Sequence, residues 1–391
     1  MAGKRDLSKL KLETLLVLAG RDPTRSEGGV NPPLHRATTL LLDDVDELYG
    51  TPTKTYALDG MAVQEALRAA LTAIEGGADA TLAPTGMAAV TMALMTVARS
   101  GGEFLVTDAC YGPTRRICET LLKRMGVKTR FIDPRSGANI ADLISDTTCG
   151  IFLESPGSIT LEIMDVPAIT AAARAKNVPV ILDNTWSAGV NFKPFAHGVD
   201  LSVQALTKYQ AGHADAFLGA VIASTPQWAN RVLATYKQLG LFASPDDAFL
   251  VLRGLRTLAL RLERQSASAL AVAKWLQTRA EVETVLHPAL KSHPDHTIWA
   301  RDFAGASGLF SVALKPAPRE RIKAMCEGYN VFAMGFSWGG YESLIVPSND
   351  NIRRRVIRRK TEGELLRLSI GLEHPDDLIA DLEQGFARLN G

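Results

Sequence analysis

Cysteine is scarce in this chain and never clustered: Cys110, Cys118, Cys149 and Cys326 stand far apart with no C-x-x-C pair. That argues against a zinc ribbon or a disulfide framework, makes each thiol core filler, and fits a reducing, cytoplasmic setting. Long apolar runs are missing as well. Leu15-Leu16-Val17-Leu18-Ala19-Gly20 is too short to span a bilayer, and Asp6 and Glu13 precede it, unlike a signal or transit peptide. The formal net charge is only +1 over 391 residues, so nothing in the balance asks for nucleic acid or a charged membrane. The one charge run, Arg353-Arg354-Arg355-Val356-Ile357-Arg358-Arg359-Lys360, reads as a solvated helix or loop face, with a polyanion or a subunit contact as its other uses. Internal repeats and low-complexity tracts are absent. Residues 1–60 lack periodicity and are rich in turn residues, among them Asp22-Pro23-Thr24, Glu27-Gly28-Gly29, Asn31-Pro32-Pro33 and Thr51-Pro52-Thr53. Such a segment cannot make its own core, so it is either disordered or an arm that packs on something else, including a neighbouring subunit.

What is present is ordinary globular material, 46% hydrophobic and 22% charged, in a chain long enough for two or three domains. From Met61 a helical pattern places Val63, Ala66, Leu67, Ala70, Leu71 and Ile74 at three- and four-residue steps, stopping at Glu75-Gly76-Gly77, where a glycine C-cap is expected. Short apolar runs then alternate with helical ones. Strands are predicted over 79–83, 104–107, 128–132, 149–154, 178–182 and 201–206, with helices near 87–98, 114–125 and 166–176. Alternating βα units of this length predict an α/β architecture with a mostly parallel sheet covered on both faces. The tail changes character: a long helical stretch over 245–278, a strand over 308–314, a helix over 319–327, a strand over 365–371 and a helix over 375–389 predict a smaller α+β domain. The expected division is an arm over 1–60, a ligand-binding domain over 61–255 and a C-terminal domain over 256–391.

Ligands on parallel sheets bind beyond the carboxyl ends of the strands, and two reactive side chains fall there. Asp183 follows Val180-Ile181-Leu182, and Lys208 follows Leu201 to Thr207. A lysine can hold the aldehyde of pyridoxal phosphate as a Schiff base, and a buried aspartate can keep its pyridine nitrogen protonated, so that the ring acts as an electron sink. Two surface charges after buried strands are the plain alternative. Thr85-Gly86-Met87 opens a helix whose first N–H groups suit a phosphate, although glycine before a helix is often only turn geometry. Tyr111, after another strand end, could stack on a planar ring or fill core.

Five segments in order extend this reading: Glu154-Ser155-Pro156-Gly157-Ser158; Leu182-Asp183-Asn184-Thr185-Trp186; Gln204 to Tyr209 with Gly212-His213-Ala214-Asp215; Gly335-Phe336-Ser337-Trp338-Gly339-Gly340-Tyr341-Glu342-Ser343; and Leu366-Arg367-Leu368-Ser369-Ile370-Gly371-Leu372-Glu373. Through them the chain resembles, over essentially its whole length, the cysteine/methionine-metabolism family of pyridoxal-phosphate enzymes, and within it the bacterial cystathionine β-lyases. The resemblance implies an aspartate-aminotransferase-like transferase fold. It makes Lys208 the Schiff-base lysine and the base that moves the α proton, Asp183 the pyridinium partner, and Tyr111 the residue stacked on the ring. Gly86 and Met87 become the phosphate cradle, with the Thr207 hydroxyl added. Arg367 becomes the bidentate fork for the substrate α-carboxylate, Ser337 its neighbour, and Trp338 the mark of the β-lyase form of that loop. Tyr56 falls where the family places a tyrosine reaching the adjacent subunit's active site.

One departure stands out. The family pattern has an arginine two residues after that tyrosine, and here Leu58 is followed by Asp59, with Lys54 as a possible substitute. The expected reaction is cleavage of cystathionine to homocysteine, pyruvate and ammonia in methionine biosynthesis. The other readings are γ-elimination, γ-replacement, β-elimination from another sulfur amino acid, or a catalytically degenerate binding protein. The expected partners are a small-molecule sulfur amino acid and further copies of the chain, as a dimer with shared active sites that pairs into a homotetramer.

Overall fold

The computed structural model describes residue 7 and residues 9–50, 54–357 and 362–391. The Thr51-Pro52-Thr53 turn and the Arg358-Arg359-Lys360 end of the charge run lie outside the described residues. The larger sheet contains β1 (Asp79–Ala83), β2 (Glu103–Thr107), β3 (Lys128–Ile132), β4 (Thr148–Glu154), β5 (Val180–Asp183), β6 (Leu201–Gln204) and β7 (Gly219–Ala223), in the order β1-β7-β6-β5-β4-β2-β3. Only β7 runs against its neighbours β1 and β6; the pairs from β6 across to β3 are parallel. Both faces are covered. In β7, Ala220 and Ile222 enter one apolar cluster with the helix Ala62–Glu75, while Val221 and Ala223 enter another with the helix Gly86–Val97. Alternate side chains point to opposite faces, so a strand buried on both must be apolar throughout, as Gly-Ala-Val-Ile-Ala is.

The second sheet is antiparallel: β8 (Val282–Leu286), β9 (Leu309–Leu314), β10 (Leu344–Pro347) and β11 (Leu365–Ser369), ordered β10-β11-β9-β8. It shares a core with the helices Leu258–Leu276, Arg319–Cys326 and Pro375–Asn390. The sequence pattern does not reveal β7, β8 or β10, which are runs of four or five residues among turn-forming neighbours.

Two expectations change. The helical stretch over 245–278 is two helices, Pro245–Leu255 and Leu258–Leu276, broken at Arg256-Thr257. The Arg256 guanidinium donates to the carbonyls of Leu16 at 2.6 Å and Ala19 at 2.9 Å, so it caps a helix in the arm. That helix, Leu12–Leu18, belongs to the body: Leu16 and Ala19 are buried in the same cluster as Val63 and Leu67. Gly20 follows in the left-handed region, at φ +73, where a Cβ would lie 2.1 Å from the Ala66 carbonyl oxygen. Further along the arm, Leu41, Val45 and Tyr49 stand exposed. Among the described residues no helix is long and apolar enough to cross a membrane, and all four cysteines are free and buried.

Candidate active site

Three neighbouring strands end in the groups that build the site. Glu154 and Asp183 are register partners at the ends of β4 and β5, and Lys208 lies four residues beyond β6. They line a cavity of about 1100 Å3 with Gly86, Met87, Tyr111, Thr207, Ser337, Trp338 and Arg367. Thus nine of the ten anticipated residues line one cavity; Tyr56 does not.

Lys208 Nζ donates to Ser337 Oγ at 2.8 Å and lies 5.4 Å from the centre of the Trp338 ring. Burial, then the Arg367 charge, pull its ammonium down to about 8, with Asp183 opposing. Asp183 Oδ1 accepts the Thr185 N–H at 3.1 Å and its hydroxyl at 2.6 Å. Burial pushes its carboxyl above the usual range, against those bonds and Lys208. Its other oxygen, Oδ2, has no hydrogen bond among the described residues and is free for a protonated ring nitrogen.

Arg367 comes from the smaller sheet, on β11 between Val346 and Ser311. Its Nη2 donates to the Ser337 carbonyl at 2.9 Å, while the buried Nε has no partner. An unpaired buried donor is costly in a folded chain, and a carboxylate would satisfy it. Ser337 therefore bridges the amine and the guanidinium, through its hydroxyl and its carbonyl. It does so at φ +71, in the left-handed region that side-chain-bearing residues rarely occupy.

At the other end of the cavity Thr85 caps the helix Gly86–Val97 by accepting the Ala88 N–H at 3.0 Å. The preceding N–H groups, those of Gly86 and Met87, have no intrahelical acceptor. A Cβ on Gly86 would lie 2.6 Å from Ala205 Cβ, so only glycine lets this helix start approach so closely. The Thr207 hydroxyl exchanges hydrogen bonds with the Leu218 backbone, accepting from its N–H at 3.0 Å and donating to its carbonyl at 3.2 Å. The free N–H pair, the unpaired Asp183 oxygen, the lysine and the half-exposed Tyr111 ring together fit a phosphorylated pyridine aldehyde.

Two residues without an assigned role from sequence belong here. Glu154 Oε2 accepts the Tyr111 backbone N–H at 2.7 Å, and burial, then Asp183 across the register, push its carboxyl well up. Its position at a strand end beside Asp183 was the available signal. Arg354 is the other. The charge run does not stay on a solvated face: Arg354 reaches inward to the Asp108 carbonyl at 2.7 Å, the Ser158 carbonyl at 3.3 Å and the Thr160 hydroxyl.

The arm behaves differently from the rest. Tyr56 is half-exposed and bridges to Thr39. Lys54 is bound to Glu65 and donates to the Gly60 carbonyl, so it is not a spare cation. Leu58 packs on apolar core while its carbonyl accepts the Tyr236 hydroxyl at 3.2 Å, and Asp59 pairs with Lys237 at 2.8 Å.

A cystathionine β-lyase of Haemophilus influenzae is 41% identical over 394 residues, covering 98% of this chain and 99% of that protein. One of Escherichia coli is 41% identical over 392 residues, covering 97% and 99%. The crystal structure of a cystathionine γ-synthase from Xanthomonas oryzae pv. oryzae, in complex with aminoacrylate and cysteine, superposes with a TM-score of 0.90 at 31% identity, covering 97% of this chain and 99% of that one. The sequence profile of the family described as Cys/Met metabolism PLP-dependent enzyme matches residues 13–387, and the chain belongs to that family, with pyridoxal phosphate as its cofactor.

Proposed function

We propose that the chain is a carbon–sulfur β-lyase that cleaves cystathionine and water to homocysteine, pyruvate and ammonia. The observation that carries this reading is the Lys208–Ser337–Arg367 relay: an amine with a depressed pKa and a guanidinium with an unpaired donor, held through one serine. Arg367 binds the substrate α-carboxylate as a fork and sets the orientation of the Cα–H bond. Lys208 Nζ then takes the α proton. Bound pyridoxal phosphate supplies the electron sink that makes this proton removable. Loss of the thiolate from Cβ breaks the C–S bond, and hydrolysis of the remaining three-carbon fragment gives pyruvate and ammonia. Asp183, with its free oxygen, is placed in this reading to hold the pyridine nitrogen. Gly86, Met87 and Thr207 hold the phosphate, the last after its hydroxyl turns from Leu218. Tyr111 covers the ring, and Trp338 walls the space beside the lysine.

Tyr56 is assigned to a neighbouring subunit's site, in a dimer that pairs into a tetramer. Its exposure outside its own cavity and the exposed Leu41, Val45 and Tyr49 support this. Residues 1–60, 61–255 and 256–391 then act as arm, cofactor domain and C-terminal domain. Four free cysteines suit a reducing cytoplasm. The deciding experiment is keto-acid analysis with cystathionine as substrate. Pyruvate as the main product is expected, and α-ketobutyrate in its place would make the chain a γ-lyase.

A further inference from the structure

The 1100 Å3 cavity exceeds the roughly 300–1,000 Å3 typical of ligand sites. One of its walls is the segment 350–355, far in sequence from the strand-end groups. That wall is pinned. The buried Asp108 carboxylate accepts the N–H groups of Arg355 at 2.9 Å, Val356 at 2.8 Å and Ile357 at 3.1 Å, and the Arg115 guanidinium at 2.7 Å. Two of the wall's three arginines are already engaged. Arg354 is bound to carbonyls and Thr160, and Arg355 pairs with Glu119 at 2.7 Å. Arg353 and Asp350 are left. They are three positions apart, exposed, of opposite sign, and without an ion pair or side-chain hydrogen bond among the described residues.

We propose that Asp350 and Arg353 read the far end of the substrate. Asp350 takes the ammonium and Arg353 the carboxylate of a second amino-acid head, while Arg367 holds the first. The chain thereby selects thioethers that carry an amino-acid head at each end over cysteine conjugates ending in a plain alkyl group. This rests on the lyase reading above. A zwitterion presents both signs within a few ångströms, so it needs both residues. Either alone would favour a different substrate.

The test uses holoenzyme and three substrates: cystathionine, S-(3-carboxypropyl)cysteine, which keeps the distal carboxylate at the same reach without the amine, and S-methylcysteine, which has neither. Keto-acid release would be measured for wild type, Arg353→Ala, Arg353→Lys and Asp350→Asn, with cofactor absorbance as the check on folding. Arg353→Ala should lose roughly ten- to hundredfold in kcat/KM on the first two substrates, with Arg353→Lys partly restoring it, and less than threefold on S-methylcysteine. Asp350→Asn should lose on cystathionine alone. Equal losses on all three substrates, or no loss on cystathionine, overturn the proposal. If the wild type releases keto acid from none of them, the lyase reading falls and this proposal falls with it.

Discussion

Ser337 holds Lys208 by a 2.8 Å hydrogen bond from Nζ to its hydroxyl, and it does so with its own backbone at φ +71. The same residue's carbonyl fixes Arg367. A strained conformation is maintained where the surrounding structure over-determines it, and here two polar anchors do so. Ser337→Ala removes the hydroxyl and leaves the carbonyl. It should lower kcat by roughly fivefold while raising KM little, because one neutral hydrogen bond is worth about 1 kcal/mol. A KM effect larger than the kcat effect would place the hydroxyl on the substrate instead.

Lys208→Ala removes the only amine in the cavity among the described residues. The purified variant should lose the yellow colour of a lysine-linked cofactor, release pyridoxal phosphate on dialysis, and lose nearly all turnover. Wild-type elimination by this variant would contradict the central assignment.

Arg367→Lys exchanges a planar fork for a point charge. The lost charge-assisted bond is worth ~1.5–3 kcal/mol, so the substrate concentration needed should rise roughly ten- to hundredfold while cofactor absorbance stays unchanged. Steady-state kinetics read beside a spectrum separate the two. An altered spectrum with normal KM would move Arg367 from substrate to cofactor.

Much of this site is readable along the chain because its parts are local. Asp183 and Lys208 follow largely apolar runs of strand length, and Gly86 opens a helix directly after another. What is not readable depends on contacts between distant segments. Asp108 anchors the N–H groups of residues 355–357 from almost 250 positions away, so Arg353–Arg355 look like a solvated charge run until that anchor is seen. The helix Leu12–Leu18 is too short to declare itself and is stabilised by Arg256 and the helix Ala62–Glu75. Strand β10 is held by partners distant in sequence or outside any strand, pairing with β11 on one side and bridging to Ala333 on the other.

His287 and His293 give the fold an acid sensitivity. Burial pulls their imidazoles down from about 6.5 to about 3 and about 4. Each Nδ1 accepts a backbone N–H, and each Nε2 is buried without a partner. Both folded pKa values lie below the unfolded one, so the unfolded chain binds more protons as pH falls below about 6.5. Their stabilising effect is complete above that pH and is lost towards about 3, at up to roughly 1.4 kcal/mol per pH unit for each histidine. Urea midpoints measured from pH 7 to pH 5 should fall, and less steeply for His287→Asn. Parallel profiles would show that His287 titrates normally.

Leu58 stands where the family pattern calls for an arginine near a phosphate of the neighbouring subunit. Lys54 is held by Glu65 and Gly60, and Lys237 by Asp59, so neither fills the vacancy. In the proposed site the phosphate would then depend on the free N–H groups of Gly86 and Met87, on Thr207 and, from the neighbouring subunit, on Tyr56. Leu58→Arg should add one charge-assisted bond, ~1.5–3 kcal/mol or roughly ten- to hundredfold in cofactor affinity. Because Lys237 already neutralises Asp59, that carboxylate should not capture the new guanidinium, and Leu58→Arg combined with Asp59→Arg should bind little more tightly than Leu58→Arg alone. Titration of apoprotein with pyridoxal phosphate measures all three. Equal affinity in wild type and Leu58→Arg would mean that residue 58 does not face the phosphate: its side chain packs partly against apolar core in its own subunit, and an arginine there would turn to solvent instead.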